Sequence, residues 1–184
     1  MLRQPQEQTV KLERPKRSSR IYEGRILNLR VDEVELENQR KTVREVVEHR
    51  GAAAIVPLLD NNRILLVRQF RYAINSDLLE IPAGTLERDE EPETCATREL
   101  EEETGYRAEE ISKILECYVA PGYSTEKIHF FLARGLTQAR MHTEEDEVIK
   151  LEILTLEDAF QRLRSGRIQD AKTACGLYRL RDLL

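Results

Sequence analysis

Tryptophan is absent from the 184 residues, and aromatics make up only 5% of them. Any platform for stacking a ring must therefore use tyrosine, phenylalanine, histidine or arginine. Cysteine is scarce as well, at three residues, Cys95, Cys117 and Cys175. Their odd number and the lack of a Cys-x-x-Cys pair exclude a disulfide framework and a cysteine zinc site, and fit buried thiols in a reducing cytoplasm. The longest apolar run, Ala52–Leu59, is too short to span a membrane and carries Pro57. The first residues lack the apolar stretch of a signal peptide. Positive charge is not in excess: the net charge of −5 argues against a nucleic-acid partner. His49, His129 and His142 have no metal-ligand spacing, with His129 expected to pack in a strand and the others to be exposed. The remaining composition, 40% hydrophobic and 34% charged, is that of one globular domain with room for a small appendage.

Periodicity orders the chain. Residues 1–20 are polar and basic, and most of them read as a mobile arm, with order only near its end. Alternation over Ile26–Leu36, a turn at Glu37–Arg40 and a second strand over Thr42–His49 predict a small β element across residues 21–50. Ala52–Leu59 and Arg63–Arg71 are strands joined by a tight turn at Asp60-Asn61-Asn62. Leu78–Ile81 is a short strand. Ile111–Val119, Lys127–Ala133 and Val148–Leu154 are further strands, with a loop at Ala120–Ser124 and a long polar loop over 134–147. Leu156–Leu163 is a helix that stops near Gly166. Asp170 caps a last helix whose apolar face is read as Ala171, Ala174, Cys175 and Tyr178. The expected product is a mixed sheet with helices on its faces.

The segment Gly84–Tyr106 holds nine of the acidic residues in 23 positions. Pro92 suits a first helical turn, with Asp89, Glu90 and Glu91 at the positive end of the dipole, and Gly105 suits a C-terminal stop. Glu99, Glu102 and Glu103, spaced i, i+3, i+4, then share one helix face, with Glu103 taken as exposed. Like charges so placed repel by roughly 0.2–0.5 kcal/mol per pair. A hard divalent cation with a taste for oxygen turns that repulsion into attraction. The competing reading is a solvated acidic face. A second acidic run, Glu144-Glu145-Asp146-Glu147, sits in the long loop, where it is either a source of a catalytic base or another solvated patch.

Gly84, Glu90 and Arg98-Glu99-Leu100-Glu101-Glu102-Glu103-Thr104-Gly105-Tyr106 match the Nudix box at every polar position. Tyr106 stands where an aliphatic residue is usual. The chain resembles the ADP-ribose pyrophosphatases within that superfamily, on Pro121 fifteen residues past the box, Arg44–Glu48, Arg68-Gln69-Phe70-Arg71 and Asp170–Ala174. The resemblance implies an α/β (α+β) fold, the Nudix α/β/α sandwich with a mixed sheet, at residues 51–184. A small N-terminal β element would precede it and exchange across a homodimer. It also implies metal-dependent hydrolysis of ADP-ribose to AMP and ribose 5-phosphate with Mg2+, Mn2+ or another divalent ion.

Carried over residue by residue, the resemblance makes Glu99, Glu103 and the Ala83 carbonyl metal ligands. Glu102 becomes a further ligand or a support for the metal-bound water. Glu145 becomes the candidate base and Glu147 a ligand for an additional metal. Arg98 orients the box glutamates and Glu90 stabilises the box loop. Arg44 and Glu45 would hydrogen-bond adenine, the competing reading being a cross-strand salt bridge. Arg71 would contact the diphosphate and Glu126 the terminal ribose, with Tyr22 or Ile26 as candidates for stacking. The partner is thus a small nucleotide sugar, with no nucleic acid and no membrane involved. Two alternatives stand beside ADP-ribose. One is another nucleoside diphosphate sugar such as ADP-glucose or GDP-mannose. The other is a ligand sensor without hydrolysis, which the intact box and the lack of a helix-turn-helix segment disfavour.

Overall fold

A computed structural model describes residues 13–60, 62–139 and 148–184 of the chain. They divide into two compact units. The first runs to His49 and includes Ala120–Thr125; the second holds Arg50–Val119 and Glu126–Leu184.

The first unit is an antiparallel sheet of β1 (Arg14–Glu23), β2 (Leu27–Glu35) and β3 (Lys41–His49), in that order. The β2–β3 turn is closed by the Leu36 amide on the Arg40 carbonyl, with Gln39 in the left-handed region at φ 65. The ordered end of the expected 1–20 arm is longer than the sequence suggests: Arg14 to Arg20 belong to β1, in register with β2 from Glu35 to Arg30. Its alternation is masked because nearly every side chain of β1 is exposed and basic or polar, so no buried face marks it as a strand. Ser124 bridges to Val47, which ties the Ala120–Thr125 loop to β3.

The second unit is built on a mixed sheet. Its path is β12 (Ile149–Thr155), β5 (Arg63–Arg71), β4 (Ala52–Leu59), β10 (Lys127–Arg134) and β9 (Glu110–Tyr118). Two short strands, β6 (Ser76–Glu80) and β7 (Ala83–Thr85), pair with β5 and β4. The β4–β10 pair is parallel and its neighbours are antiparallel. Between β5 and β6 lies a single 3-10 turn, Tyr72–Ile74.

Both faces of the central strands are covered, which is why β4 reads as an unbroken apolar run and β10 carries the run Phe130–Ala133. Ala53, Ile55, Phe131 and Ala133 pack on one face against Cys95, Ala96 and Leu100 of α1 (Pro92–Thr104). Ala54, Val56, Phe130 and Leu132 pack on the other against α2 (Leu156–Arg164) and α3 (Ala171–Leu183). Thr155 caps α2 and Asp170 caps α3, each side chain accepting an amide of the first turn.

Three sequence expectations change here. The face of α3 that enters the core is Thr173, Gly176, Leu177 and Leu180, whereas Cys175 and Tyr178 are exposed. Gly176 lets the helix approach: a Cβ there would stand 3.0 Å from both Ile81 and Val56. The polar stretch after β10 is not all loop, because β11 (Thr137–Gln138) pairs with β8 (Tyr106–Arg107). His49 is half-buried, not exposed.

Candidate active site

In the second unit the β6–β7 segment, α1 and the start of α3 supply a group of charged side chains. Pro92 opens α1, where its missing N–H costs nothing, and Gly105 closes it in the left-handed region at φ 68. Glu91 is the N-cap and makes no side-chain cap, and Glu93 adds a carboxylate in the first turn. Glu90 turns back instead. Its Oε2 accepts from the Glu87 amide at 2.8 Å, and its two oxygens accept from Arg98 Nε and Nη2 at 3.0 and 3.1 Å.

Arg98 Nη1 also donates to Glu99 at 2.7 Å and Glu102 at 2.9 Å. One guanidinium thus holds three carboxylates apart in fixed directions, which its planar fork of five donors allows. The Arg98 hydrogen bond, opposed by burial, holds the Glu90 carboxyl below its usual range. Burial pushes the neighbouring Cys95 thiol up to about 12, so it stays neutral.

Two close approaches join α1 to β7. A Cβ on Gly84 would lie 1.8 Å from Glu99 Oε1, so only glycine admits that carboxylate against the strand. Glu103 Oε2 accepts from the Ala83 amide at 3.0 Å. Glu103 is therefore not the exposed helix position its spacing suggested: it is 5% exposed. Glu102 stays near the surface, with 40% of its side chain exposed.

Next to Gly84 opens a cavity of ≈ 390 Å³, lined among others by Arg71, Glu80, Glu126, Asp170 and Lys172. Arg71 grips Glu80 through Nε at 2.8 Å and Nη2 at 2.6 Å. That hydrogen bonding raises the Arg71 pKa against the opposing effect of burial, with the fields of Glu103 and Asp170 adding to it.

The box carboxylates suit a hard divalent cation by donor type, and the Gly84–Glu99 contact is a cradle that a methyl group would fill. Among the described residues no three His, Cys, Asp or Glu side chains surround one point, because Arg98 takes Glu99 and Glu102 while the Ala83 amide takes Glu103.

The structure brings Ala83, Glu99, Glu102 and Glu103 to one end of α1, and Arg71 and Glu126 to one cavity. Arg44 and Glu45 lie on β3 of the first unit, where Arg44 Nε donates to Glu13 at 2.9 Å. That is an ion pair, though with Glu13 and not with a residue of β2. Tyr22 and Ile26 are exposed. Glu145 and Glu147 lie outside the described residues. Glu80 and Lys172 were missed by sequence reasoning. The signal for Glu80 was a lone carboxylate ending the apolar Leu78-Leu79, and that for Lys172 was its place in Asp170–Thr173, two residues past a helix cap.

The pattern of the NUDIX domain matches residues 48–174. The chain belongs to the Nudix family. It is 43% identical over 162 residues to an ADP-ribose pyrophosphatase of Bacillus subtilis (strain 168), which covers 87% of this chain and 88% of that protein. It is 39% identical over 177 residues to a methanol dehydrogenase activator of Bacillus methanolicus, over 95% and 92% of the two chains. A GDP-mannose pyrophosphatase of Salmonella arizonae is 43% identical over 141 residues, 71% of this chain and 73% of that one. The crystal structure of an ADP compounds hydrolase superposes with a TM-score of 0.85 over 97% of both chains at 21% identity, which establishes the Nudix fold. The chain is a Nudix hydrolase, and Nudix hydrolases generally use divalent metal ions.

Proposed function

We propose that this Nudix hydrolase cleaves the pyrophosphate bond of ADP-ribose to give AMP and ribose 5-phosphate. The observation that carries the reading is the 43% identity to an ADP-ribose pyrophosphatase over nearly the whole of both chains. The cavity beside the box, with Arg71 on its wall, supports it.

In this reading Glu99, Glu103 and the Ala83 carbonyl would hold a divalent ion, Mg2+, Mn2+ or another, with Glu102 as a further ligand and Glu147 for an additional metal. Such an ion, when bound, neutralises pyrophosphate charge and makes a coordinated water more acidic. Arg98 keeps Glu99 and Glu102 in direction. Glu145 takes the proton of the attacking water, with Glu102 supporting it. The water oxygen bonds to one phosphorus, the bridging oxygen leaves with the other phosphate, and two phosphomonoesters result. Arg71 binds the diphosphate through its guanidinium fork. Glu126 contacts the terminal ribose. Arg44 and Glu45 hydrogen-bond the adenine, reaching the site through a homodimer in which the N-terminal β element is exchanged. Arg44 keeps N–H groups beyond those that Glu13 and the Val43 carbonyl take. The reaction belongs to the cytoplasm, where nucleotide sugars of this kind arise.

A second reading, hydrolysis of GDP-mannose, is favoured by the GDP-mannose pyrophosphatase relative at the same 43% identity over a shorter span. The metal assignment is tested by Glu103→Gln. The glutamine carbonyl still accepts from Ala83, so the melting temperature is expected to hold while turnover of ADP-ribose with Mg2+ falls at least about 100-fold. Near-normal turnover contradicts the assignment.

A further inference from the structure

Glu80 is a titratable group for which the reaction above has no use. It ends β6 and is 1% exposed. A carboxylate at that depth keeps its charge only when it is well paired. Burial alone would raise its pKa, but the Arg71 hydrogen bonds and the charge of Lys172 more than reverse this and hold it low. Two cations share it. Arg71 approaches as a fork, Nε on Oε1 at 2.8 Å and Nη2 on Oε2 at 2.6 Å, and Lys172 Nζ also donates to Oε2.

The surroundings fix the bracket. Lys172 Nζ donates to Asp170 at 3.0 Å, and Asp170 caps α3 through the Thr173 amide at 2.9 Å. The Ile81 amide, next to Glu80, donates to Thr173 Oγ1 at 2.8 Å. Exposure grades outward: the Glu80 side chain is buried, Lys172 is 13% exposed and Arg71 40%. Glu80 is thus the deepest of the three residues that line the cavity, and Arg71 the most exposed. A bidentate contact on one edge fixes the guanidinium plane, and so the direction of the N–H groups that Glu80 does not take. A mere tie between β6 and α3 would need no second cation that lines a cavity.

We propose that Glu80 is a positioning residue, holding Arg71 in the orientation that grips the substrate diphosphate; the proposal rests on reading this cavity as the diphosphate site. Lys172 and Asp170 hold Glu80 itself in place. Affinity for any nucleoside diphosphate sugar then depends on Glu80 only through Arg71.

The test is a double-mutant cycle on the full chain with Glu80→Gln, Arg71→Met and the pair, reading KM and kcat for ADP-ribose with Mg2+ and, by calorimetry, the Kd of ADP-ribose. Glu80→Gln is expected to raise KM and Kd about tenfold with kcat within about threefold, and to add nothing in the Arg71→Met background. Multiplicative losses, or an unchanged KM, overturn the proposal. Glu80→Asp covers the case in which Glu80→Gln does not fold. It keeps the buried charge on a shorter arm, so the melting temperature should return toward the wild-type value while KM stays raised. Recovery of both overturns the proposal. If the wild type leaves ADP-ribose intact but cleaves GDP-mannose, the substrate reading falls, and the same cycle on GDP-mannose decides the role of Glu80.

Discussion

An alanine at Gly84 would place its Cβ 1.8 Å from Glu99 Oε1 and 1.9 Å from Cδ. The atoms in the way are the far end of a flexible side chain, so the fold can yield by moving Glu99. Gly84→Ala is accordingly expected to melt within a few degrees of the wild type. A ligand displaced by about 1 Å costs on the order of 100-fold in rate, so kcat/KM should drop by about that much. Steady-state kinetics beside a thermal melt checks both halves, and unchanged kinetics would remove Glu99 from the metal site. At this scale the sequence was informative about identity and poor about direction. The box marks Glu99, Glu102 and Glu103 as one helix face, but spacing carries no information on what covers that face. Ala83 comes from a strand pair that only the fold brings over α1, and its amide takes the Glu103 carboxylate inside. Glu90 was legible as a loop residue because the motif sets it eight positions before Arg98, two turns along a chain that must double back.

Helix α3 has a cap that is written in the sequence and a buried face that is not. Its cap at Asp170 was legible, because a short acceptor before an apolar-periodic stretch is a local signal. Its buried face was not. Gly176 and Thr173 have low apolar character, yet they are the positions the sheet can approach, one by lacking a side chain and the other by accepting from the Ile81 amide. Gly176→Val should therefore destabilise the protein by about 1–3 kcal/mol through overpacking against Val56 and Ile81. Urea denaturation should show the shift in midpoint; an unchanged midpoint would mean α3 can move off the sheet freely. Strands β4, β5 and β10 were readable because burial on both faces writes a continuous apolar run. Strands β7, β8 and β11 have three, two and two residues, too few for any period, and they exist because their partners hold them.

At the scale of the whole molecule, the first unit displays Ile21, Tyr22, Ile26 and Val43 as exposed apolar side chains on a small sheet. The proposed homodimer gives them a partner of the same chain. Sedimentation of the full 21.4 kDa chain is expected to give twice that mass, and removal of residues 1–50 to give single copies. A stable dimer without those residues contradicts the exchange. Because β1 spans Arg14–Glu23, cutting at residue 20 removes most of a strand.

The proposed activity is tested most directly by a hydrolysis panel with Mg2+, using ADP-ribose, ADP-glucose, GDP-mannose, NADH and a nucleoside triphosphate, with products separated by chromatography. ADP-ribose is expected to give AMP and ribose 5-phosphate, with little product from the others. Preferred cleavage of GDP-mannose, or binding of ADP-ribose without turnover of any of the five, contradicts it.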